Sequence, residues 1–138
     1  ITEMYVKKIN HMCTFEQISL KSPNYDRKDA HKKKELESQL LLKKIQSQDY
    51  VIILDEKGKS LSSTDFSIKL SQLFDVGTKR VVFIIGGAFG INDELLSRAN
   101  LKLALSALTM NHMVAKAVTL EQIYRGLSIR KGLPYHNE

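Results

Sequence analysis

The sequence predicts an α/β fold, with a mostly parallel sheet between layers of helices and one domain covering residues 1–138. Two observations lead to this prediction. The runs YVIIL (50–54) and VVFII (81–85) are short, continuous and apolar, which is typical of strands buried on both faces. Each run is followed by a segment whose capping residues or apolar spacing predict a helix, and strands that alternate with helices indicate a parallel sheet.

The remaining elements follow from apolar periodicity and from capping residues. Two further strands are predicted at TFEQISL (14–20), which alternates apolar and polar residues, and at LKLALSAL (101–108). Five helices are predicted, at 1–10, 26 to about 46, 63 or 64 to about 74, 92–99 and 110–132. The second helix follows a turn around Pro23. Ser63 or Thr64 is the predicted N-cap of the third helix, and Asn92 is that of the fourth. The segment 55–63 is predicted to be a polar connection. Because α/β domains normally begin with a strand, we expect a first strand to be absent from this sequence record.

Composition and charge restrict the classes of function. The chain has 21 Lys and Arg against 15 Asp and Glu, a net charge of +6, which favours an anionic partner without establishing one. The HKKKE segment (31–35) is either a solvated helix face or a patch that faces RNA. The only cysteine, Cys13, excludes an internal disulfide and a Cys-rich zinc site, and we expect it to be buried and inert. We predict no metal, no membrane segment and a cytoplasmic location, since neither a long apolar run nor a secretion signal is present.

Three of the seven glycines lie in GGAFG (86–90), directly after a predicted buried strand. In parallel sheets ligands bind beyond the carboxyl ends of the strands. Gly86 and Gly87 can let a ligand approach the main chain, and Gly90 can take a positive φ angle. A tight turn without a ligand explains the same residues. The segment matches neither the dinucleotide-binding fingerprint nor a P-loop.

An ordered set of motifs resembles the ribosomal RNA large-subunit methyltransferase H family, which belongs to the SPOUT class of knotted methyltransferases. The resemblance covers nearly the whole chain, and the matching residues are Gly86, Gly87 and Gly90; Leu105, Ser106, Leu108, Thr109 and His112; Glu121, Gln122, Tyr124 and Arg125; and Pro134, Tyr135 and His136. Two positions depart from the family pattern. Lys116 stands where arginine is usual and loses its planar fork, and Gly126 replaces an alanine and weakens its helix by about 1 kcal/mol.

The resemblance implies a C-terminal trefoil knot, with a cofactor-binding region at about 81–136, and S-adenosylmethionine as the cofactor. Three loops would surround the cofactor: the LDEKGK loop, the glycine loop and the loop at 105–111. The implied cofactor-binding residues are Leu54, Gly86, Gly87, Gly90, Leu105, Ser106, Ala107, Leu108, Thr109, Met110 and Asn111. Backbone groups of 105–110 would pair with the adenine edge, and Leu54, Leu108 and Met110 would supply apolar walls.

The resemblance also implies a reaction, the methylation of N3 of a pseudouridine in 23S ribosomal RNA of the assembled ribosome. It further implies a homodimer in which the tail of one subunit completes the site of the other. Arg125, Tyr135 and His136 are the implied residues of the target pocket, with the base unassigned between them. His112 is either catalytic or only a packing or hydrogen-bonding residue. Two alternatives stay open: a non-catalytic relative that binds RNA or ribosomes, and an enzyme of the same class that acts on transfer RNA.

Overall fold

The computed structural model describes residues 1–20, 29–87 and 89–137, and the parallel sheet lies at the centre of this part of the chain. Strand β1 (Tyr50–Ser60) is central, with β2 (Val81–Ile84) on one side and β3 (Leu101–Ala104) on the other. Val51, Ile52 and Ile53 are fully buried, which confirms the prediction of a strand covered on both faces. Both pairings of β1 are parallel, so the carboxyl ends of the strands meet at one edge.

Five helices cover the two faces of the sheet in the described residues: α1 (Thr2–Asn10), α2 (Ala30–Lys44), α3 (Ser63–Asp75), α4 (Asp93–Arg98) and α5 (His112–Arg130). Ile52 belongs to a core with α1, α3 and α5, whereas Val51 and Ile53 belong to a second core with α2 and α4. Successive residues of β1 therefore face opposite helical layers, as the twofold period of a strand requires. The predicted α/β architecture is confirmed.

The helix starts are set by polar side chains. Asn92 and Asn111 each accept a backbone hydrogen bond at 2.9 Å and so cap α4 and α5. The cap of α3 is Ser62, whose Oγ accepts from the N–H of Asp65 at 3.0 Å, one residue before the predicted Ser63. In α2, the buried residue is Ser38. The predicted turn at Pro23 and the start of that helix at 26–28 lie outside the described residues.

Two predicted strands and one predicted connection were wrong in part or in full. Residues 14–20 form no strand: they pair with none of the three strands of the sheet, and Phe15 N–H instead donates to Asn10 Oδ1 at 3.0 Å. The predicted polar connection is the second half of β1, where the pairing with β3 shifts between Leu54 and Lys59. β3 ends at Ala104 rather than at 108, because its partner there is Ser60, the last residue of β1.

Two glycines permit close packing between elements. A Cβ on Gly58 would lie 2.6 Å from the backbone carbonyl of Lys102, so the polar half of β1 can approach β3 only without a side chain there. A Cβ on Gly126 would lie 2.9 Å from Cδ1 of Leu70, where α5 crosses α3. Both glycines therefore have a packing role that their sequence context does not reveal.

Candidate active site

The glycine loop after β2 forms a tight turn at the carboxyl edge of the sheet. The N–H of Gly90 donates to the carbonyl of Gly87 at 3.1 Å, and Gly90 has a φ angle of +87°, which confirms the predicted left-handed conformation. Gly86 and Gly87 do not have positive φ angles. A Cβ on Gly86 would instead lie 2.7 Å from Cγ1 of Ile91, and one on Gly87 would lie 2.7 Å from Oε2 of Glu37. A side chain at either position would crowd a neighbouring side chain, so space rather than backbone conformation favours glycine here.

The segment 105–111 leaves the sheet at the same edge and leads into α5. Leu54 pairs with Leu103 of β3, which places Leu54 two residues from the start of this segment. Ala107, Leu108 and Thr109 are exposed, and Ser106 Oγ accepts from the N–H of Leu108 at 3.0 Å. Leu108 is 75% exposed and does not form an apolar wall within the single chain.

His112 joins the glycine loop to the first turn of α5. Its Nδ1 lies 3.1 Å from the carbonyl oxygen of Gly86. A carbonyl oxygen only accepts, so Nδ1 carries the proton and donates. Of the two roles that the sequence left open for His112, this contact supports the hydrogen-bonding role. It also brings two of the three predicted cofactor loops together.

A cavity of about 150 Å³ lies beside these loops, between the carboxyl half of the sheet, α3 and α5. Its walls combine apolar and polar side chains: Leu61, Ser62, Ser63, Phe66, Phe83, Leu103, Ala104, Leu105, Val118, Thr119 and Gln122. Of the predicted cofactor residues, only Leu105 lines it. Sequence reasoning did not predict the other residues that line the cavity. Their sequence signals, a capping Ser-Ser pair and apolar residues of strands and helices, are equally typical of ordinary structure.

The three predicted target-pocket residues are brought together by Glu121. Arg125 Nη2 and Nε donate to Oε1 of Glu121 at 2.6 and 2.9 Å, and the hydroxyl of Tyr135 donates to the same oxygen at 3.2 Å. Arg125 Nη1 lies 3.0 Å from Nδ1 of His136, and its guanidinium carbon lies 4.8 Å from the centre of the Tyr135 ring. We call Glu121, Arg125, Tyr135 and His136 the C-terminal cluster. Tyr5 of α1 also reaches it, with its hydroxyl 3.2 Å from that of Tyr135.

The electrostatics of the C-terminal cluster determine its protonation states. The hydrogen bond with Tyr5, then burial and the Glu121 carboxylate, raise the pKa of Tyr135 well above its ordinary value. The hydrogen bond to Glu121 raises the pKa of Arg125, so the guanidinium stays charged. Because a guanidinium has no acceptor, His136 Nδ1 accepts from Arg125, and a neutral His136 carries its proton on Nε2. At neutral pH the cluster offers a fixed cation and a protonated phenol.

The cluster is adjacent to the cavity through one residue. Gln122 lines the cavity, and its Nε2 donates to Oε2 of Glu121 at 2.8 Å. Oε1 of Gln122 accepts from the hydroxyl of Ser63 at 2.7 Å, which ties the same residue to the start of α3. Within one chain, the cavity therefore contacts the segment 105–111 through Leu105 and the C-terminal cluster through Gln122, while His112 joins that segment to the glycine loop.

Comparison with known proteins defines the class of this site. A family model described as "Predicted SPOUT methyltransferase" matches residues 1–136. The chain is thus a methyltransferase of the SPOUT class, and the fold class and enzyme class that the motifs predicted are confirmed.

Relatives with known names identify the family within that class. A protein of Bdellovibrio bacteriovorus is 49% identical over 137 residues, covering 99% of this chain and 88% of the relative. Proteins of Clostridium beijerinckii and Christiangramia forsetii are 40% and 34% identical over 138 residues, covering 97% and 99% of this chain and 87% and 88% of the relatives. All three are named ribosomal RNA large subunit methyltransferase H. The chain belongs to this family.

The described residues contain neither a membrane-spanning helix nor a group of metal-binding side chains. No helix among residues 1–20, 29–87 and 89–137 has the length and apolar character to cross a bilayer. The same residues contain no group of three or more His, Cys, Asp or Glu side chains placed to hold a metal ion.

Proposed function

We propose that this chain transfers a methyl group from S-adenosylmethionine to N3 of a pseudouridine in 23S ribosomal RNA, on the assembled large subunit. Family membership supports the reaction class. The observation that carries the proposal is the meeting of the glycine loop and the segment 105–111, which His112 joins, at the edge of the sheet where ligands of α/β proteins bind. The C-terminal cluster supplies a fixed cation for the target base.

The residues of this edge fit the proposed cofactor. The cavity, at about 150 Å³, is smaller than the roughly 300–1,000 Å³ typical of ligand pockets, so it would hold only part of a nucleoside-sized molecule. Phe83 and Leu103 supply apolar walls for a planar ring, and Ser63 and Gln122 supply polar groups. The exposed backbone of 105–110 would bind the rest. The predicted cofactor-binding residues and the knotted region at about 81–136 remain part of this proposal.

The C-terminal cluster would prepare the target base. When bound, the cofactor supplies an electrophilic methyl group, and the nucleophile is N3 of the base, which must lose its proton. Neither Arg125 nor Tyr135 is a base at neutral pH, since each holds its proton more tightly than usual. We therefore assign Arg125 to charge stabilisation: its guanidinium lowers the pKa of the N3–H group and favours proton loss to solvent. Glu121 holds Arg125 in place, and Tyr135 and His136 orient the base.

A second copy of the chain would complete the site. Leu108, Met113 and Val114 are 75%, 63% and 47% exposed, and together they form an apolar patch on the segment 105–111 and the first turn of α5. A patch of this kind on a small enzyme is typical of an interface. We propose a homodimer that covers this patch and places the tail of one subunit at the other's site. The net charge of +6 suits a ribosomal RNA partner in the cytoplasm, and binding should weaken as salt increases.

The test is methyl transfer from labelled S-adenosylmethionine to purified ribosomes, free 23S ribosomal RNA and transfer RNA, each in parallel. The proposal predicts label in ribosomes and little in the two free RNAs. Label confined to transfer RNA would support the alternative target. A folded protein that binds ribosomes but transfers no methyl group would support the non-catalytic alternative, which the lysine at position 116 motivates.

A further inference from the structure

Gly87 lies against the carboxylate of another helix. A Cβ on Gly87 would be 2.7 Å from Oε2 and 3.5 Å from Cδ of Glu37 in α2. The φ angle of Gly87 is outside the left-handed region, so the backbone conformation does not require glycine. The Glu37 carboxylate occupies the space that a side chain at position 87 would take. A carboxylate therefore lies directly on the loop to which we assign the cofactor.

Two hydrogen bonds hold this part of α2 beside the glycine loop. Ser38 is 1% exposed, and its Oγ accepts from the N–H of Asn92 at 2.9 Å. Glu35 Oε2 accepts from Nδ2 of Asn92 at 3.1 Å. Asn92 follows the glycine loop by two residues and caps α4. Since Ser38 is the next residue after Glu37, these contacts fix the position of the Glu37 carboxylate relative to Gly87.

The chemistry of Glu37 suits a ligand that donates hydrogen bonds or carries positive charge, because an ionised carboxylate is only an acceptor. The proposed cofactor offers four such groups: a sulfonium, an ammonium, the ribose hydroxyls and the adenine amino group. Resting on that proposed function, we propose that Glu37 is a cofactor-binding residue of this site. Its carboxylate contacts one of these groups when S-adenosylmethionine lies along the glycine loop. Sequence motifs did not indicate this residue, because it lies in a charged helix well before the loop.

The first test compares E37Q with the wild-type protein by titration calorimetry with S-adenosylmethionine. Glutamine keeps the size of the side chain and removes its charge and one acceptor oxygen. We expect binding to weaken by about tenfold or more, because hydrogen bonds to charged groups are the strong ones. The matched control is E94Q. Glu94 is an exposed carboxylate at the start of α4 that accepts from Gln39 at 2.7 Å, and its loss should leave affinity unchanged. Thermal denaturation of each variant shows whether it is folded.

Two cofactor analogues identify the group that Glu37 contacts. S-adenosylhomocysteine lacks the sulfonium, and methylthioadenosine lacks both the sulfonium and the amino acid. Weaker binding of all three compounds by E37Q assigns the contact to the adenosine part, either a ribose hydroxyl or the adenine amino group. Weaker binding of only the first two assigns it to the ammonium, and weaker binding of S-adenosylmethionine alone assigns it to the sulfonium. Each of these results supports the inference.

A second variant tests the same contact from the loop side. G87A places a methyl group where Oε2 of Glu37 lies, and the end of that side chain can move aside, so the fold should survive. We expect G87A to weaken cofactor binding in the wild-type background and to have a smaller effect in E37A. Equal affinity of E37Q and wild type for all three compounds would overturn the inference and leave the proposed function standing. Failure of the wild-type protein to bind any of them would overturn both.

Discussion

Glu121 is the residue on which the C-terminal cluster depends, and E121Q tests that dependence. Oε1 accepts two hydrogen bonds from Arg125 and one from Tyr135, while Oε2 accepts one from Gln122. Glutamine removes the charge and leaves one side-chain oxygen. Its amide nitrogen must then face the donor of either Gln122 or Arg125, so at least one hydrogen bond is lost.

The magnitude follows from burial and charge. The side chains of Glu121 and Arg125 are 20% and 24% exposed, so water replaces only part of the lost interaction. A hydrogen bond to a charged group contributes about 1.5–3 kcal/mol, and we expect E121Q to lower the free energy of unfolding by about 2 kcal/mol. For 138 residues with an unfolding entropy of about 2.1 cal/mol/K each, this corresponds to a decrease in Tm of about 7 °C.

Two assays check the E121Q prediction. Thermal denaturation followed by circular dichroism measures the change in Tm, and labelled methyl transfer to ribosomes should fall by at least about tenfold because Arg125 is no longer held in place. E3Q is the control, since Glu3 is an exposed residue of α1 that belongs neither to the C-terminal cluster nor to a predicted cofactor loop. A Tm within about 1 °C of wild type, together with unchanged transfer, would refute the view that Glu121 organises this cluster.

Three further predictions concern stability. Arg80 holds the pKa of the buried Asp49 below its ordinary value. D49N should therefore lower the free energy of unfolding by about 1.5–3 kcal/mol at pH 7 and by less below about pH 4, where Asp49 becomes protonated. Urea unfolding at both pH values measures this, and a difference from wild type that does not change with pH would contradict it. Because the pKa of Tyr135 is raised in the folded protein, this residue contributes fully to the free energy of unfolding below about pH 10 and contributes less above about pH 10. The difference in free energy of unfolding between wild type and Y135F should therefore become smaller above about pH 10. G126A gains helix propensity of about 1 kcal/mol but crowds Leu70, and we expect a net loss of about 1 kcal/mol; a higher Tm would show that Leu70 moves freely.

The sequence predicted the fold where patterning and burial agree. The apolar runs at 50–54 and 81–85 became strands, because burial on both faces requires continuous apolar residues, and Asn92 caps its helix as expected. The strand predicted at 14–20 was wrong, because alternation alone does not supply a hydrogen-bonding neighbour. Residues 105–108 continue the apolar pattern of β3, but the partner strand ends at Ser60, a limit that only the pairing reveals.

The candidate site was predictable where a motif carried it. The motifs named Arg125, Tyr135 and His136, and the structure brings them together. Tyr5 and Glu37 could not be found in this way. Both lie on helices far from the motifs in sequence, and they reach the site only because α1 packs on α5 and α2 lies beside the glycine loop.

The most direct test of the central claim is mass analysis of nucleosides from ribosomes of a strain that lacks the gene, before and after incubation with the purified protein and S-adenosylmethionine. The account predicts that N3-methylpseudouridine is absent before incubation and present after it, and that R125A, which removes the fixed cation, forms much less of it. N3-methylpseudouridine already present in ribosomes of that strain, or a methyl group found on another nucleoside after incubation, would contradict the account.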